Sequence, residues 1–142
     1  MHRGYSLIEL VVTLAIIAVA AAAALPRLAG FRDRIAVNQA AWEVTTALAV
    51  ARHTAILRAA RARVSIARDS LRIDRWEDGR WAPHRRWPGP VHHGVALTVS
   101  NPEIVFGPTG MGWGASNTTV VLRRGSQVAT ITTSRVGRVK RW

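Results

Sequence analysis

The sequence predicts an α+β fold in which a long N-terminal helix packs on a C-terminal antiparallel β-sheet or sandwich. Residues 5–25 are almost wholly apolar, with Glu9 as the one charged side chain. Residues 37–55 repeat apolar side chains at alternating spacings of four and three, as one face of a helix does. From Arg61 onward the period changes to two, and turn residues separate short apolar runs, as in a β-rich region.

The first element is a helix long enough to cross a membrane. Leu10 to Leu25 contains no charge, and residues 5–25 would extend roughly 30 Å as a helix, about one hydrocarbon core. A secretory signal peptide would have a shorter apolar core and a small-residue cleavage site, which Ala20–Ala24 offers. A plain membrane anchor explains the length but leaves Glu9 unexplained, because an acid within a span is rare and usually has a partner.

The stretch RGYSLIELVVTLAIIAV resembles the type III signal and N-terminal helix of type IV pilins and type II secretion pseudopilins. The resemblance implies a leader of residues 1–4, cleavage by prepilin peptidase between Gly4 and Tyr5, and N-methylation of Tyr5. Residues 5–26 would cross the membrane first and form filament core later. Tyr5 departs from the family, where phenylalanine is usual, and Glu9 matches the family's glutamate at the fifth position after the cut.

Glu9 then has an assembly role that elementary electrostatics supports. Cleavage after Gly4 creates an ammonium group at Tyr5, and axially offset subunits would bring Glu9 of one against the ammonium of the next. Such a pair is far stronger in low dielectric than in water. His2 and Arg3 before the span fit the positive-inside rule. We therefore expect a single pass through the bacterial inner membrane with the C-terminal region in the periplasm.

An amphipathic helix is expected over residues 27–61, after Pro26. Because proline lacks the amide hydrogen, Pro26 predicts a helix kink or local unwinding. Phe31, Ile35 and Trp42 are expected to widen the apolar surface of the helix. The stripe that should meet a sheet consists of small side chains: Val37, Ala41, Val44, Leu48, Ala51 and Ala55.

Residues 62–142 are predicted to be the β-rich globular domain. Strands are expected in ARVSIA, SLRIDRW, GVALTVS, EIVFG, TTVVLRR and QVATITTS. Asp78-Gly79 predicts a hairpin turn between Trp76 and Trp81, and Gly125-Ser126 predicts another. The proline-broken APHRRWPGP and the glycine-rich GPTGMGWGASN are expected to be loops. Short strands at this spacing indicate a sandwich or a wrapped sheet.

Further motifs resemble a narrower group, the GspH-type minor pseudopilins and FimT-type minor pilins. The turn FGPTG, residues 106–110, matches the group's F-x-P-x-G pattern. An AR-x-x-A-I-x-R pattern stands where the group's long helix meets its first strand, at Ala51, Arg52, Ala55, Ile56 and Arg58.

The chain ends in a basic element, GRVKRW, that begins at Gly137. In FimT-type proteins a G-R-x-R-like element here is associated with DNA binding during natural transformation, although this chain has Lys where the pattern has a second Arg. The resemblance implies DNA contact through Arg138, Lys140 and Arg141, with Arg135, Arg123 and Arg124 widening the patch. The alternative is an edge strand whose charges prevent edge-to-edge aggregation.

Composition limits the remaining classes of function. The net charge is +12 and no acid follows Glu103, which favours anionic partners, although ordinary solubilising charge is an alternative. There is no cysteine. His92 and His93 are adjacent, so on a strand they would point to opposite faces and not share a metal. No nucleophile motif or phosphate-binding loop occurs. We expect no metal, cofactor, small-molecule substrate or catalysis.

The sequence therefore predicts a minor pilin-like structural subunit of a type II secretion pseudopilus or a type IV pilus, taking part in protein secretion. Its expected partners are prepilin peptidase and other major and minor pilins or pseudopilins. The alternative is a FimT-like minor pilin that binds DNA through its basic C-terminus.

Overall fold

The computed structural model describes residues 6–142, apart from the side chains of residues 24–27. Two compact units, residues 1–32 and 33–142, make up the chain. One helix, α1 (Leu7–Leu57), contributes to both. Within the described residues, α1 alone is long and apolar enough to cross a membrane. The predicted fold class is confirmed: a long N-terminal helix precedes antiparallel β-sheets.

The helix ends at Leu57, a few residues before the expected end near Arg61. The Ala60 amide donates to the Ala55 carbonyl, and the Ala59 amide donates to the Ile56 carbonyl, both over 3.2 Å. This pair of bonds is a Schellman motif, which requires a left-handed residue between them. Ala59 is that residue, with φ of 48°, so the chain turns away from the helix axis there.

The predicted apolar stripe of α1 is buried in the second unit. Val44, Leu48 and Ala51 are fully buried, and the other predicted members are nearly so. Phe31, Ile35 and Trp42 instead remain exposed, Trp42 by 70%. They do not widen the buried surface, because at about 100° per residue they lie on the side of the helix that faces away from the stripe.

In the described part of the chain, eight antiparallel strands form two four-stranded sheets that share one hydrophobic core with α1. The strands are β1 Ala62–Ile66, β2 Ser70–Glu77, β3 Arg80–Pro88, β4 Ala96–Val99, β5 Glu103–Phe106, β6 Thr118–Arg124, β7 Gln127–Thr133 and β8 Val139–Arg141. The first sheet has the order β3-β2-β1-β5 and the second β4-β6-β7-β8. A short 3-10 helix, Pro90–His93, follows β3.

The prediction of a loop at APHRRWPGP was wrong over most of its length, because residues 82–88 belong to β3. β3 lies at the edge of its sheet, where proline is tolerated because one side of the strand has no neighbour in the ladder. Pro83 pairs with Asp74 and Arg85 with Ile73, so the register shifts and His84 is the extra residue of a bulge. Proline and the bulge both hide the period of two in the sequence.

Both predicted hairpin turns are present. Asp78 and Gly79 have φ of 49° and 76°, as a two-residue turn between twisted strands requires. Trp76 pairs directly with Trp81, and their rings meet edge to face with centroids 5.1 Å apart. The Arg61 guanidinium lies 4.3 Å from the Trp76 ring centroid, which covers one end of this hairpin with a cation–π contact.

Candidate functional site

The described part of the first unit presents an uncovered apolar surface. Leu7, Ile8 and Val19 are 82%, 71% and 73% exposed, and most large side chains between them are more than half exposed. Glu9 is also exposed on this segment. Its backbone carbonyl accepts a 2.7 Å hydrogen bond from the Thr13 hydroxyl, so the one hydroxyl among Leu10–Leu25 is satisfied within the helix.

The cleavage and methylation positions, Gly4 and Tyr5, lie outside the described residues. Pro26 lies within the bounds of α1, but its side chain is not among those described. The roles of all three stay predictions.

In the second unit, the three sequence motifs of the narrower resemblance meet at one place. Arg52 of α1 donates from Nε to the Gly110 carbonyl oxygen over 3.0 Å. Gly110 ends the FGPTG turn, and a Cβ on it would lie 2.7 Å from Ile56 Cδ1. Gly137 approaches from the C-terminal element, where a Cβ would lie 2.3 Å from the Gly110 carbonyl oxygen. Motifs far apart in sequence therefore form one packed junction beside α1.

The same junction fixes the start of the C-terminal basic element. The Gly112 amide donates to the Arg135 carbonyl over 2.8 Å, and the Ser134 amide donates to the Arg138 carbonyl over 3.0 Å. Gly137 has φ of 73° and completes the turn into β8. The basic element is thus held on the glycine-rich loop at one end.

The C-terminal cations are all exposed, but their side chains take different directions. Arg141 donates to the Asn38 side-chain oxygen of α1. Lys140 Nζ lies 3.5 Å from the centroid of the Trp142 ring. Arg138 lines a groove beside α1, and Arg135 lines a separate cleft rich in serine and threonine. β8 is also an edge strand, and the DNA-contact and edge-protection roles of these cations both stay predictions.

Arg124 does not belong to a free basic patch. Its Nε donates to Asp33 Oδ1 over 2.8 Å, and its Nη1 donates to the His93 carbonyl oxygen. The Asp33 charge neutralises it locally, whereas Arg123 beside it remains exposed. No local pattern could have revealed this pair, since the partners stand 91 positions apart.

A second basic cluster lies between α1 and the edge strand β3. Arg58, His84 and Arg85 line it together with His53. Burial lowers the pKa of His84 below its usual 6.5, and the nearby charges of Arg75, Arg85 and Arg58 lower it further. The sequence indicated none of this grouping, because it depends on residues 82–88 being a strand rather than a loop.

Two family models match the chain. The prokaryotic N-terminal methylation motif matches residues 1–25. The family described as type II transport protein GspH matches residues 40–137, which is more than half of the chain. The chain belongs to the GspH family.

Solved structures agree with this family in fold. The type IV minor pilin FimU of Pseudomonas aeruginosa superposes with a TM-score of 0.65 at 18% identity, covering 78% of this chain and 90% of FimU. The minor pseudopilin EpsH from the Type 2 Secretion System of Vibrio cholerae gives 0.62 at 13% identity, covering 75% and 95%. No curated protein sequence matches the chain.

GspH-family membership makes the protein a structural subunit of a type II secretion system or of type IV pili, not an enzyme. The apolar α1 segment suits membrane anchoring and pilus assembly. Within the described residues, no three His, Asp or Glu side chains are grouped so as to hold a metal ion.

Proposed function

We propose that this GspH-family protein is a minor subunit of a type II secretion pseudopilus and takes part in protein secretion. Prepilin peptidase cuts it between Gly4 and Tyr5, and Tyr5 is then methylated. The leader stays on the cytoplasmic side of the inner membrane, and the second unit lies in the periplasm. Its helix then packs against the helices of other major and minor pseudopilins in the filament.

One observation carries the assembly step of this proposal: the exposed apolar surface of α1 with Glu9 on it. The choice of a secretion pseudopilus is supported by the match to the type II transport protein GspH family. Apolar area gains about 25 cal/mol for each Å² removed from water, so this surface must be covered by lipid or by neighbouring helices. Lipid alone gives Glu9 no partner, whereas a neighbouring subunit offers the new ammonium at Tyr5. The same helix therefore serves as a membrane span before cleavage and as a filament element afterwards.

The first experiment separates insertion, cleavage and assembly in the native host. Glu9→Gln removes the charge with little change of shape, so we expect normal membrane insertion and cleavage but absence of the subunit from sheared filaments. Glu103→Gln is the matched control, because it removes an exposed carboxylate in the second unit. Gly4→Val should block cleavage, seen as a slower band on a denaturing gel. Glu9→Gln subunits in filaments at the wild-type level would exclude the pairing role.

A second candidate function is DNA binding by a minor type IV pilin during natural transformation. The exposed cations Arg135, Arg138, Lys140 and Arg141, with no acid after Glu103, favour it. Phosphate contacts of this kind give affinity without base specificity and weaken as salt rises.

Its test is fluorescence anisotropy of a labelled oligonucleotide with the full chain in detergent micelles, over a series of salt concentrations. We expect the triple variant Arg138→Ala, Lys140→Ala, Arg141→Ala to bind more weakly and with a shallower salt dependence. The Arg86→Ala variant controls for the removal of an exposed charge on the other sheet. Absence of salt-dependent binding by the unmodified chain would rule this function out and leave the secretion proposal untouched.

A further inference from the structure

Two basic grooves run along opposite sides of one exposed ridge of α1. The ridge is formed by Ala49 and His53, which line both grooves. The near groove lies towards the C-terminal element and contains Arg52 and Arg138. The far groove lies towards β3 and contains Arg58 and Arg85, with His84.

Among the residues that the structure describes, no acidic side chain lines either groove. Glu77, the acid that acts on His84, is held in a 2.8 Å ion pair with Arg75. The four groove cations are all exposed: Arg52, Arg58, Arg85 and Arg138. Their charges therefore add to one positive potential across the ridge instead of being cancelled in pairs.

Burial is the first cause of the low pKa of His84, and the cations around the ring lower that pKa further. Its neighbours Arg75, Arg85 and Arg58 disfavour a further positive charge on the ring. An anion that enters the far groove would reverse that effect, since it would stabilise the protonated imidazole.

We propose that the C-terminal basic element is one end of a longer DNA-contacting surface, which crosses the α1 ridge and ends in the far groove at Arg58 and Arg85. This inference rests on the second candidate function. The distance across the ridge is about one helix diameter, ~10 Å. The phosphates of one duplex strand are spaced about 3.4 Å apart along the duplex axis. A duplex whose axis crosses the ridge would therefore connect the near groove with the far groove over about three base pairs.

The shape of the surface favours a nucleic acid over a lipid surface. A phosphodiester strand presents a line of charges that can cross a ridge and contact cations on both sides. A plane of headgroups would meet the ridge and leave the cations within the grooves at a distance. Phosphate contacts by arginine and lysine supply most sequence-independent binding of DNA.

The test compares two double variants of the full chain in detergent micelles, by anisotropy with the same labelled oligonucleotide at several salt concentrations. Arg58→Gln with Arg85→Gln removes the far-groove cations. Arg68→Gln with Arg86→Gln removes two exposed cations that line neither groove. A plot of log Kobs against log salt has a negative slope. We expect the far-groove variant to make this slope shallower by about two, one for each phosphate that is no longer neutralised. The control should retain the wild-type slope.

Thermal unfolding curves that match the wild type show that the variants remain folded. If the unmodified chain does not bind the oligonucleotide, both the second candidate function and the proposed DNA-contacting surface are excluded. If the C-terminal triple variant binds DNA more weakly while the far-groove variant behaves like its control, DNA contact by the C-terminal basic element is supported. The extension of the surface across the ridge is then overturned. Weaker binding by both the triple and the far-groove variant supports the whole surface.

Discussion

Arg52 Nε and the Gly110 carbonyl oxygen lie 3.0 Å apart, which ties the helix to the FGPTG turn. Gly137 packs against the same carbonyl, so one peptide group joins three parts of the second unit. A hydrogen bond with a charged partner contributes about 1.5–3 kcal/mol. The junction therefore also determines where the C-terminal basic element begins.

Gly137→Ala should destabilise the second unit by about 2–4 kcal/mol. The new Cβ would lie 2.3 Å from the Gly110 carbonyl oxygen at a φ of 73°, so it combines a backbone clash with left-handed strain. Urea unfolding followed by tryptophan fluorescence measures it, since every tryptophan lies in residues 33–142. Gly114→Ala is the matched control, with φ of 70° and open space around the Cβ. Equal destabilisation of both variants would show that strain, and not the junction, accounts for the effect.

Local patterns were sufficient for much of the fold. The helix stripe from Val37 to Ala55 is buried as its spacing predicted, because a period near 3.6 places those side chains on one face. The Asp78-Gly79 turn also formed as expected, since few residue pairs tolerate two successive positive φ angles. These features depend on neighbours within a few positions, which a sequence displays directly.

Contacts between segments far apart in the chain could not be predicted from the sequence. Arg52 and Gly110 stand 58 positions apart, and no pattern around either residue indicates that the two are in contact. Most of β3 was predicted to be a loop because prolines mark turns in most settings and are tolerated in a sheet only at its edge, which depends on the final strand order. The far groove could not be predicted for the same reason, because Arg85 faces it only as part of that strand.

Ala59→Gly should stabilise the second unit by about 0.5–1 kcal/mol. Ala59 holds the left-handed position of the motif that ends α1, where glycine carries no Cβ strain. Part of the gain is offset because glycine has more freedom in the unfolded chain. Urea unfolding of Ala60→Gly beside it gives the control, since Ala60 has no positive φ and its variant should be destabilised slightly. A lower stability of Ala59→Gly than of the wild type would contradict the assigned helix end.

Asp74→Ala should cost about 3 kcal/mol. The Asp74 carboxylate is buried and pairs with Arg63 over 2.8 Å and with Arg72 over 3.2 Å. Its removal leaves the partly buried Arg63 guanidinium with the Trp81 ring, 4.7 Å from its centroid, and the exposed Glu103 carboxylate, 3.7 Å away. Loss of the buried carboxylate costs more than breaking an exposed pair. Asp69→Ala, at an exposed turn position, should change the free energy of unfolding by less than about 0.5 kcal/mol. Equal midpoints in urea for the two variants would contradict a stabilising role for the buried carboxylate.

His84 should make both stability and DNA binding depend on pH. Its folded pKa is lowered below 6.5, first by burial and then by Arg75, Arg85 and Arg58. The unfolded chain therefore binds the proton more readily than the folded one, and stability should fall as pH drops from about 6.5 through the folded pKa. DNA in the far groove should raise that pKa, so affinity should increase as pH falls over the same range.

An NMR titration of the His84 ring, assigned with a His84→Gln variant, measures the folded pKa directly. In Arg58→Gln with Arg85→Gln we expect that pKa to rise towards 6.5, because two of the three repelling charges are gone. The same variant should lose the pH dependence of DNA affinity, whereas Arg68→Gln with Arg86→Gln should keep it. A His84 pKa at or above 6.5 in the unmodified chain would contradict both the lowered pKa and the positive potential assigned to the far groove.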